Sequence, residues 1–321
     1  MSSTDHGSGT DIPELPLDPL LDKALRVSRA AGRRSVAVLT TDQARAQMPL
    51  PPDAPEDPRL LVEDSVLALE SCGLPLRRYT LTGRSLGTVI YLHGGGWVLG
   101  SIAHADPTCR RLALDSSCDV LSVEYPLAPE SPFPAALTAT TELLINQIQR
   151  SDCPVVVMGE SAGANLVLGA LQSMGATERS SFAGAVLVTP LVDLGRRRPS
   201  HARHDDPLLL LSTPDLAWYV ERYLPADADR ADPRVSPLRG DLRHLPRTCV
   251  VIAGHDPLRD EASELAELLR AHDDETRVIT APTLGHAFLS MHAVVEAAAK
   301  VLDQITTTTR VFLESASPAR Q

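Results

Sequence analysis

Residues 154–171 read PVVVMGESAGANLVLGAL, and this stretch decides the architecture. Pro154 to Met158 is a short apolar run, Gly159-Glu160-Ser161-Ala162-Gly163 breaks it, and a helical pattern begins at once, predicted over Ala162 to Met174. A strand that turns straight into a helix through Gly-x-Ser-x-Gly is a nucleophile elbow. The turn holds its serine in a strained backbone conformation, and the flanking glycines are needed because side chains there would collide with the neighbouring strand and helix. The helix beginning beside Ser161 also brings its positive dipole end close to developing negative charge. Outside such a context the pentapeptide arises by chance, and a serine capping a Gly-rich helix start is the plainer alternative.

The same strand form recurs on both sides of the elbow. GTVIYLH (Gly87 to His93), DVLSVEY (Asp119 to Tyr125), AGAVLVTP (Ala183 to Pro190), TCVVIAG (Thr248 to Gly254) and TRVITAP (Thr276 to Pro282) are continuous apolar runs. Runs without alternation are expected of parallel strands covered on both faces. LLVEDSVLALE and LPLRRYTL read as two further strands upstream. Helical patterns fall between the strands, around Thr108–Leu114, Pro134–Ile148, Asp260–Ala271 and Ala293–Thr306. Strand–helix alternation on this scale implies a doubly wound α/β domain with a mostly parallel sheet. Asp193 to Leu245 interrupts the alternation with one helical piece, Pro214 to Tyr223, and an insertion there would sit over the strand ends where ligands bind in open α/β sheets. Near the N-terminus an amphipathic helix is predicted over Asp18–Ala30 and a second over Thr41–Met48, capped by Thr41 or Asp42. Residues 1–17 are polar, Gly/Ser-rich and then Pro-punctuated, and are expected to be a disordered tail ahead of a single domain over 18–321.

Composition excludes some partners. The 321 residues are 43% hydrophobic and 22% charged, enough apolar material for a full core. A net charge of −11 leaves no basic stripe to neutralise nucleic-acid phosphates. No apolar run approaches the ~20 residues of a membrane span. The N-terminus lacks the basic and apolar regions of a secretory signal, and the five cysteines lack CxxC spacing. Reduced thiols in a cytoplasm are therefore expected, with no cofactor and no metal. None of the cysteines sits in a turn built to expose a nucleophile.

TVIYLHGGGWVLG places His93-Gly94-Gly95-Gly96-Trp97 directly after a strand. Three glycines permit a loop whose N–H groups point outward together, as an acyl-transfer oxyanion requires. Elbow and glycine loop together make the chain resemble the hormone-sensitive-lipase group of α/β-hydrolase carboxylesterases. The resemblance extends in order through VEYPLAPESPFPAAL (Val123–Leu137), TPLVDL (Thr189–Leu194), AGHDPLRDEA (Ala253–Ala262) and LGHAF (Leu284–Phe288), covering the chain from about Leu60 onward.

Position and resemblance together supply the remaining members of a triad. Asp256 follows the strand TCVVIAG and His286 follows TRVITAP, giving the chain order Ser, Asp, His that this fold demands. His286 is expected to be the general base for Ser161, and Asp256 to fix its tautomer. The oxyanion donors expected are the amides of Gly95, Gly96 and Ala162, with Gly94 as the alternative register. Glu160 departs from the family, whose commonest residue there is Asp, with Thr in another branch. Asp260 and Glu261 compete with Asp256 but read as capping or solvated carboxylates. His255 points from the wrong loop, His292 lies in a helix, and the resemblance makes His93 a shaper of its loop. His201, His204, Asp205 and Asp206 could suggest a metal, yet with no partner motif a solvated loop is the better reading.

In relatives, N-terminal helices and the insertion before the acid form a cap over the acyl and alcohol pockets. Here that corresponds to about 18–48 and 192–245, where Leu208 to Leu211, Leu216, Trp218 and Tyr219 either line a pocket or hold the cap together. The implied activity is hydrolysis of short- to medium-chain esters, deacetylation of a specialised metabolite included, on a small-molecule partner, with a homodimer as the one assembly kept open. Acyl transfer or lactone formation would use the same triad. A non-catalytic receptor, which relatives become by losing the triad histidine, is disfavoured by His286.

Overall fold

The computed structural model describes residues 12–52, 54–205 and 211–316. Its strands are β1 (Leu60–Ala68), β2 (Gly73–Leu81), β3 (Thr88–Leu92), β4 (Asp119–Val123), β5 (Val155–Glu160), β6 (Gly184–Val188), β7 (Thr248–His255) and β8 (Arg277–Gly285). They form one eight-stranded sheet in the order β1-β2-β4-β3-β5-β6-β7-β8. β1 and β2 pair antiparallel with each other, β2 antiparallel with β4, and every later neighbour is parallel.

Alternate residues of the same strand enter opposite cores, which is why the runs read as continuously apolar. Ile90, Leu92, Val155, Val157 and Leu187 join one buried cluster, and Val89, Tyr91, Val156, Met158 and Val186 the other. The helices are α1 (Pro19–Ala30), α2 (Thr41–Ala46), α3 (Ile102–Ser116), α4 (Ala135–Arg150), α5 (Ala162–Ser173), α6 (Ala176–Arg179), α7 (Pro199–Arg203), α8 (Thr213–Tyr223), α9 (Arg259–Arg270) and α10 (Glu296–Ala316). α4, α5 and α9 close the first cluster through Leu143, Leu166 and Leu265, while α3 and α10 close the second through Leu112 and Leu302.

Several boundaries differ from expectation. α3 starts at Ile102, running through Pro107, because Ser101 caps it by accepting the His104 amide at 3.3 Å. α10 continues past the run Thr306–Thr309, whose β-branched residues look like a helix end. Thr307 and Thr309 instead donate their hydroxyls to the carbonyls of Asp303 and Ile305, one turn back, at 2.7 and 2.9 Å. α2 is capped by Thr40, not Thr41 or Asp42.

Residues 12–17, expected to belong to a disordered tail, are instead fixed against the fold. Ile12 is buried, Arg259 donates to its carbonyl at 2.5 Å, His255 Nε2 donates to Leu15 O at 2.8 Å, and the Asp18 amide donates to Thr283 O at 2.8 Å. An apolar side chain and three backbone groups are thereby satisfied across the ends of β7 and β8; residues 1–11 lie outside the described residues.

The two segments expected to form a cap do meet, but only in part. Ser35 Oγ and the Ala37 amide donate to Asp215 at 2.5 and 3.2 Å, and Trp218 Nε1 donates to Leu39 O at 2.8 Å. The Arg222 guanidinium lies over the Trp218 ring at 3.7 Å. α1 stands apart from this unit, because Leu21 and Leu25 find their apolar partners in the α3–α10 cluster.

The segment leaving β6 is anchored by a buried ionic network. Arg198 lies 3.0 Å from Asp193, 2.9 Å from Glu264 and 3.7 Å from Glu261, and the side chains of Arg198 and Asp193 are each 3% exposed. Glu261 in turn accepts the Val192 amide at 2.6 Å. Removing one partner would strand buried charge, so Arg198→Ala is expected to lower the unfolding free energy by about 3–5 kcal/mol. Urea denaturation measures this, and an unchanged midpoint would mean that the network carries no stability.

Candidate active site

Ser161 sits between β5 and α5 at φ 52° and ψ −114°, a region that costs a non-glycine residue strain unless its surroundings enforce it. The enforcement is visible on both sides. The Ser161 amide donates to Val188 O of β6 at 2.8 Å, and its carbonyl accepts from the Asn165 amide at 3.1 Å. A Cβ on Gly159 would strike the backbone of Gly163 and Ala164, and one on Gly163 would strike Leu92 O at the end of β3. The collisions read from the sequence are thus backbone collisions, which no rotamer change relieves.

β7 and β8 deliver the other two groups. His286 Nε2 lies 2.9 Å from Ser161 Oγ, and its Nδ1 lies 2.8 Å from Asp256 Oδ2. The second Asp256 oxygen accepts the Leu258 amide at 2.8 Å, which orients the carboxylate. An ionised carboxylate only accepts, so Nδ1 carries the ring proton and Nε2 is free to accept from the Ser161 hydroxyl. Ser161, Asp256 and His286 are all buried, at 6%, 1% and 7% exposure. Burial by itself lowers the imidazolium pKa, but Asp256 and, to a lesser extent, Glu160 outweigh it and hold His286 above its ordinary 6.5.

The glycine loop lies beside this line. Gly95, Gly96 and Trp97 take φ values of 121°, 59° and 61°. The amides of Gly95 and Gly96 donate to no acceptor among the described residues. Ala162 occupies the first position of α5, ahead of the first helical hydrogen bond from Asn165, so its amide is likewise uncommitted. Gly94 has an ordinary φ and packs against Glu160. His93 donates from Nδ1 to Gly94 O at 2.8 Å and stacks on Tyr125 at 4.4 Å, while burial lowers its pKa to about 4. It is a neutral ring bracing the loop. Trp97 is fully buried and stacks on Tyr223 at 4.1 Å.

The remaining sequence candidates lie elsewhere. Asp260 accepts the Ser200 amide at 2.8 Å, and Glu261 belongs to the ionic network. His255 is committed to Leu15, and His292 follows a short 3-10 turn instead of lying in a helix, its Nδ1 donating to Leu289 O at 2.9 Å. His204 stacks edge-on against His255 at 5.8 Å, and no metal-holding group of three or more His, Cys, Asp or Glu occurs among the described residues. Asp206 and Leu208–Leu210 lie outside the described residues; Leu211 and Trp218 are buried in the cap, and Tyr219 packs directly on Gly96.

Arg45 is a contributor that sequence reasoning missed. From α2 it donates to Val98 O at 3.1 Å and Ala128 O at 3.0 Å while pairing with Glu130 at 2.7 Å, so α2 grips the far end of the glycine loop. Nothing in the local sequence marks it, since one arginine on a short helix resembles any surface charge. Tyr91 was likewise read only as strand filling, yet its hydroxyl donates to Glu160 at 3.2 Å.

Known proteins share this fold and are named for ester hydrolysis. A family model for the α/β hydrolase fold matches residues 89–290. The carboxylic ester hydrolase LipN of Mycobacterium tuberculosis is 32% identical over 294 residues, which cover 86% of this chain and 77% of that protein. An ethyl acetate hydrolase of Pseudomonas putida is 31% identical over 299 residues, 85% of this chain and 91% of the relative. Among solved structures, an ester hydrolase from the metagenome of Lake Arreo superposes with a TM-score of 0.83 at 30% identity, covering 92% of this chain and 98% of its own. A nucleophile elbow, a glycine loop and a Ser–His–Asp line on this sheet, with relatives matched over 77% and 91% of their lengths, place the chain in the α/β-hydrolase-fold family of hormone-sensitive-lipase-like serine carboxylesterases.

Proposed function

We propose that the protein hydrolyses short- to medium-chain carboxylic esters through an acyl-enzyme on Ser161. The observation that carries this reading is the unbroken hydrogen-bonded line from Asp256 through His286 to Ser161. His286 takes the Ser161 proton as Oγ attacks the ester carbonyl, then returns it to the departing alcohol. Water repeats the sequence on the acyl-enzyme and releases the acid. The amides of Gly95, Gly96 and Ala162 receive the negative oxygen of each tetrahedral intermediate, aided by the N-terminus of α5.

The short-acyl preference is supported by the relative named for ethyl acetate hydrolysis and by the bulk of Tyr219 packed directly on Gly96. The segments around Val36–Ala46 and Thr213–Tyr223 act as the cap in this reading. The five free cysteines, of which Cys109, Cys118 and Cys249 are buried, favour a cytoplasmic setting. No described helix is long and apolar enough to cross a membrane.

Ser161→Ala should abolish labelling by a fluorophosphonate probe and lower turnover of p-nitrophenyl acetate by a factor on the order of 10⁴–10⁶. Absence of labelling in the folded native protein would overturn the assignment. Among p-nitrophenyl esters of graded length, kcat/KM should peak at short or medium acyl chains and fall for long ones; a rise toward long chains contradicts the reading. Because the neutral imidazole is the working base and its folded pKa is raised, the acid limb of kcat/KM should lie above pH 6.5, with activity falling about tenfold per pH unit below it. A pH–rate profile with its acid limb well below 6.5 would contradict the electrostatics of the site.

A further inference from the structure

Glu160 stands next to the nucleophile, and the triad does not use it. Its carboxyl accepts the Tyr91 hydroxyl at 3.2 Å, and its Cγ and Cδ would lie 3.5 and 3.6 Å from a Cβ on Gly94, which seats the side chain beneath the start of the glycine loop. The titratable groups in electrostatic reach of it come from four neighbouring parts of the fold. They are Tyr91 on β3, Cys109 on α3, Tyr125 after β4 and His286 after β8. Burial pushes Tyr91 and Tyr125 well above 10 and also raises Cys109, so these three stay neutral at working pH. Among the described residues no lysine or arginine pairs with Glu160. His286 alone can bring it a positive charge.

A carboxylate set at a buried site without a cation is costly, and burial accordingly raises the Glu160 pKa while His286 and Tyr91 pull it back. That cost falls at one moment only: when the proton leaves Ser161 Oγ for His286 Nε2 and the ring becomes an imidazolium. We propose that Glu160 is a positioning residue that acts through His286, a second negative charge which, held by Tyr91 beside the reactive centre, stabilises the imidazolium of the transition state. The inference rests on His286 being the general base. No proton passes to Glu160; its contribution is the field alone, stronger in the transition state than in the ground state and therefore felt in kcat. When Glu160 is protonated at low pH the field vanishes, so the device works only while the carboxyl is ionised.

Removing a negative charge lowers the pKa of a neighbouring imidazolium. In Glu160→Gln the acid limb of the kcat/KM profile for p-nitrophenyl acetate should therefore move down by about half a pH unit or more, and the plateau should fall roughly tenfold. Glu160→Asp keeps the charge and should hold the limb near its native position. Tyr91→Phe, which weakens the ionised carboxyl, should shift the limb the same way as Gln but by less, and it serves where the Gln variant does not fold. A limb that stays in place in both Glu160→Gln and Tyr91→Phe overturns the proposal even if the rate drops, because a purely structural role moves rates without moving the limb. Fluorophosphonate labelling of the native protein is the separate control: its failure would fault the assignment of Ser161 and His286, not of Glu160.

Discussion

The site depends on a backbone held where an L-residue resists going. Ser161 takes a positive φ because β5 ends in hydrogen bonds to β6 at the point where α5 begins, and the crossing leaves no room for a Cβ on Gly159 or Gly163. The strain has a direction. It lifts Oγ out of the sheet toward the ends of β7 and β8, and it leaves the Ala162 amide at a helix start with no intrahelical acceptor. Ser161 and the uncommitted Ala162 amide are thus placed by a single turn, and the parallel sheet supplies the rigidity that keeps the turn from relaxing.

The groups that reach Ser161 from outside its own turn arrive from different strand ends. The loop after β3 brings the glycines, the loop after β7 brings Asp256 and the loop after β8 brings His286. Each is tied down locally. Tyr125 donates to His93 O at 2.8 Å, Leu258 orients Asp256, and residues 12–18 lie across the last two loops. Arg45 extends the same restraint to the cap, so the glycine loop is gripped from below by the sheet and from above by α2. Donors that stabilise developing charge must be fixed before it appears, and these contacts hold the glycine loop rigid.

Electrostatically the centre is negative, with Asp256 and Glu160 both acting on the imidazole. Burial opposes charge on His286, and the two carboxyl groups overcome it. The balance suits a base that must accept a proton readily and carry the resulting charge within a site largely shut off from water. The ionic network around Arg198 lies farther out and does a different task, fixing the chain between β6 and α7 so that the cap departs from a defined point.

Local sequence determined the fold class, the elbow and the glycine loop, because strand runs, glycine spacing and helix periodicity are short-range signals that reflect backbone sterics directly. Chain order and family resemblance then singled out Asp256 and His286 among competing carboxylates and histidines. What the sequence did not reveal was decided by groups far apart in the chain. Positive φ at Gly95 and Gly96 shapes the glycine loop, Arg45 and Tyr91 find their partners on other elements, and α1 packs where its apolar stripe could reach a cluster. Thr306–Thr309 show the same limit within one helix: β-branched residues read as a terminus until the packing that buries Thr306, Thr308 and Thr309 is known. A strand's pattern states which faces it will bury, but a single charge or hydroxyl acquires meaning only from what the tertiary structure sets opposite it.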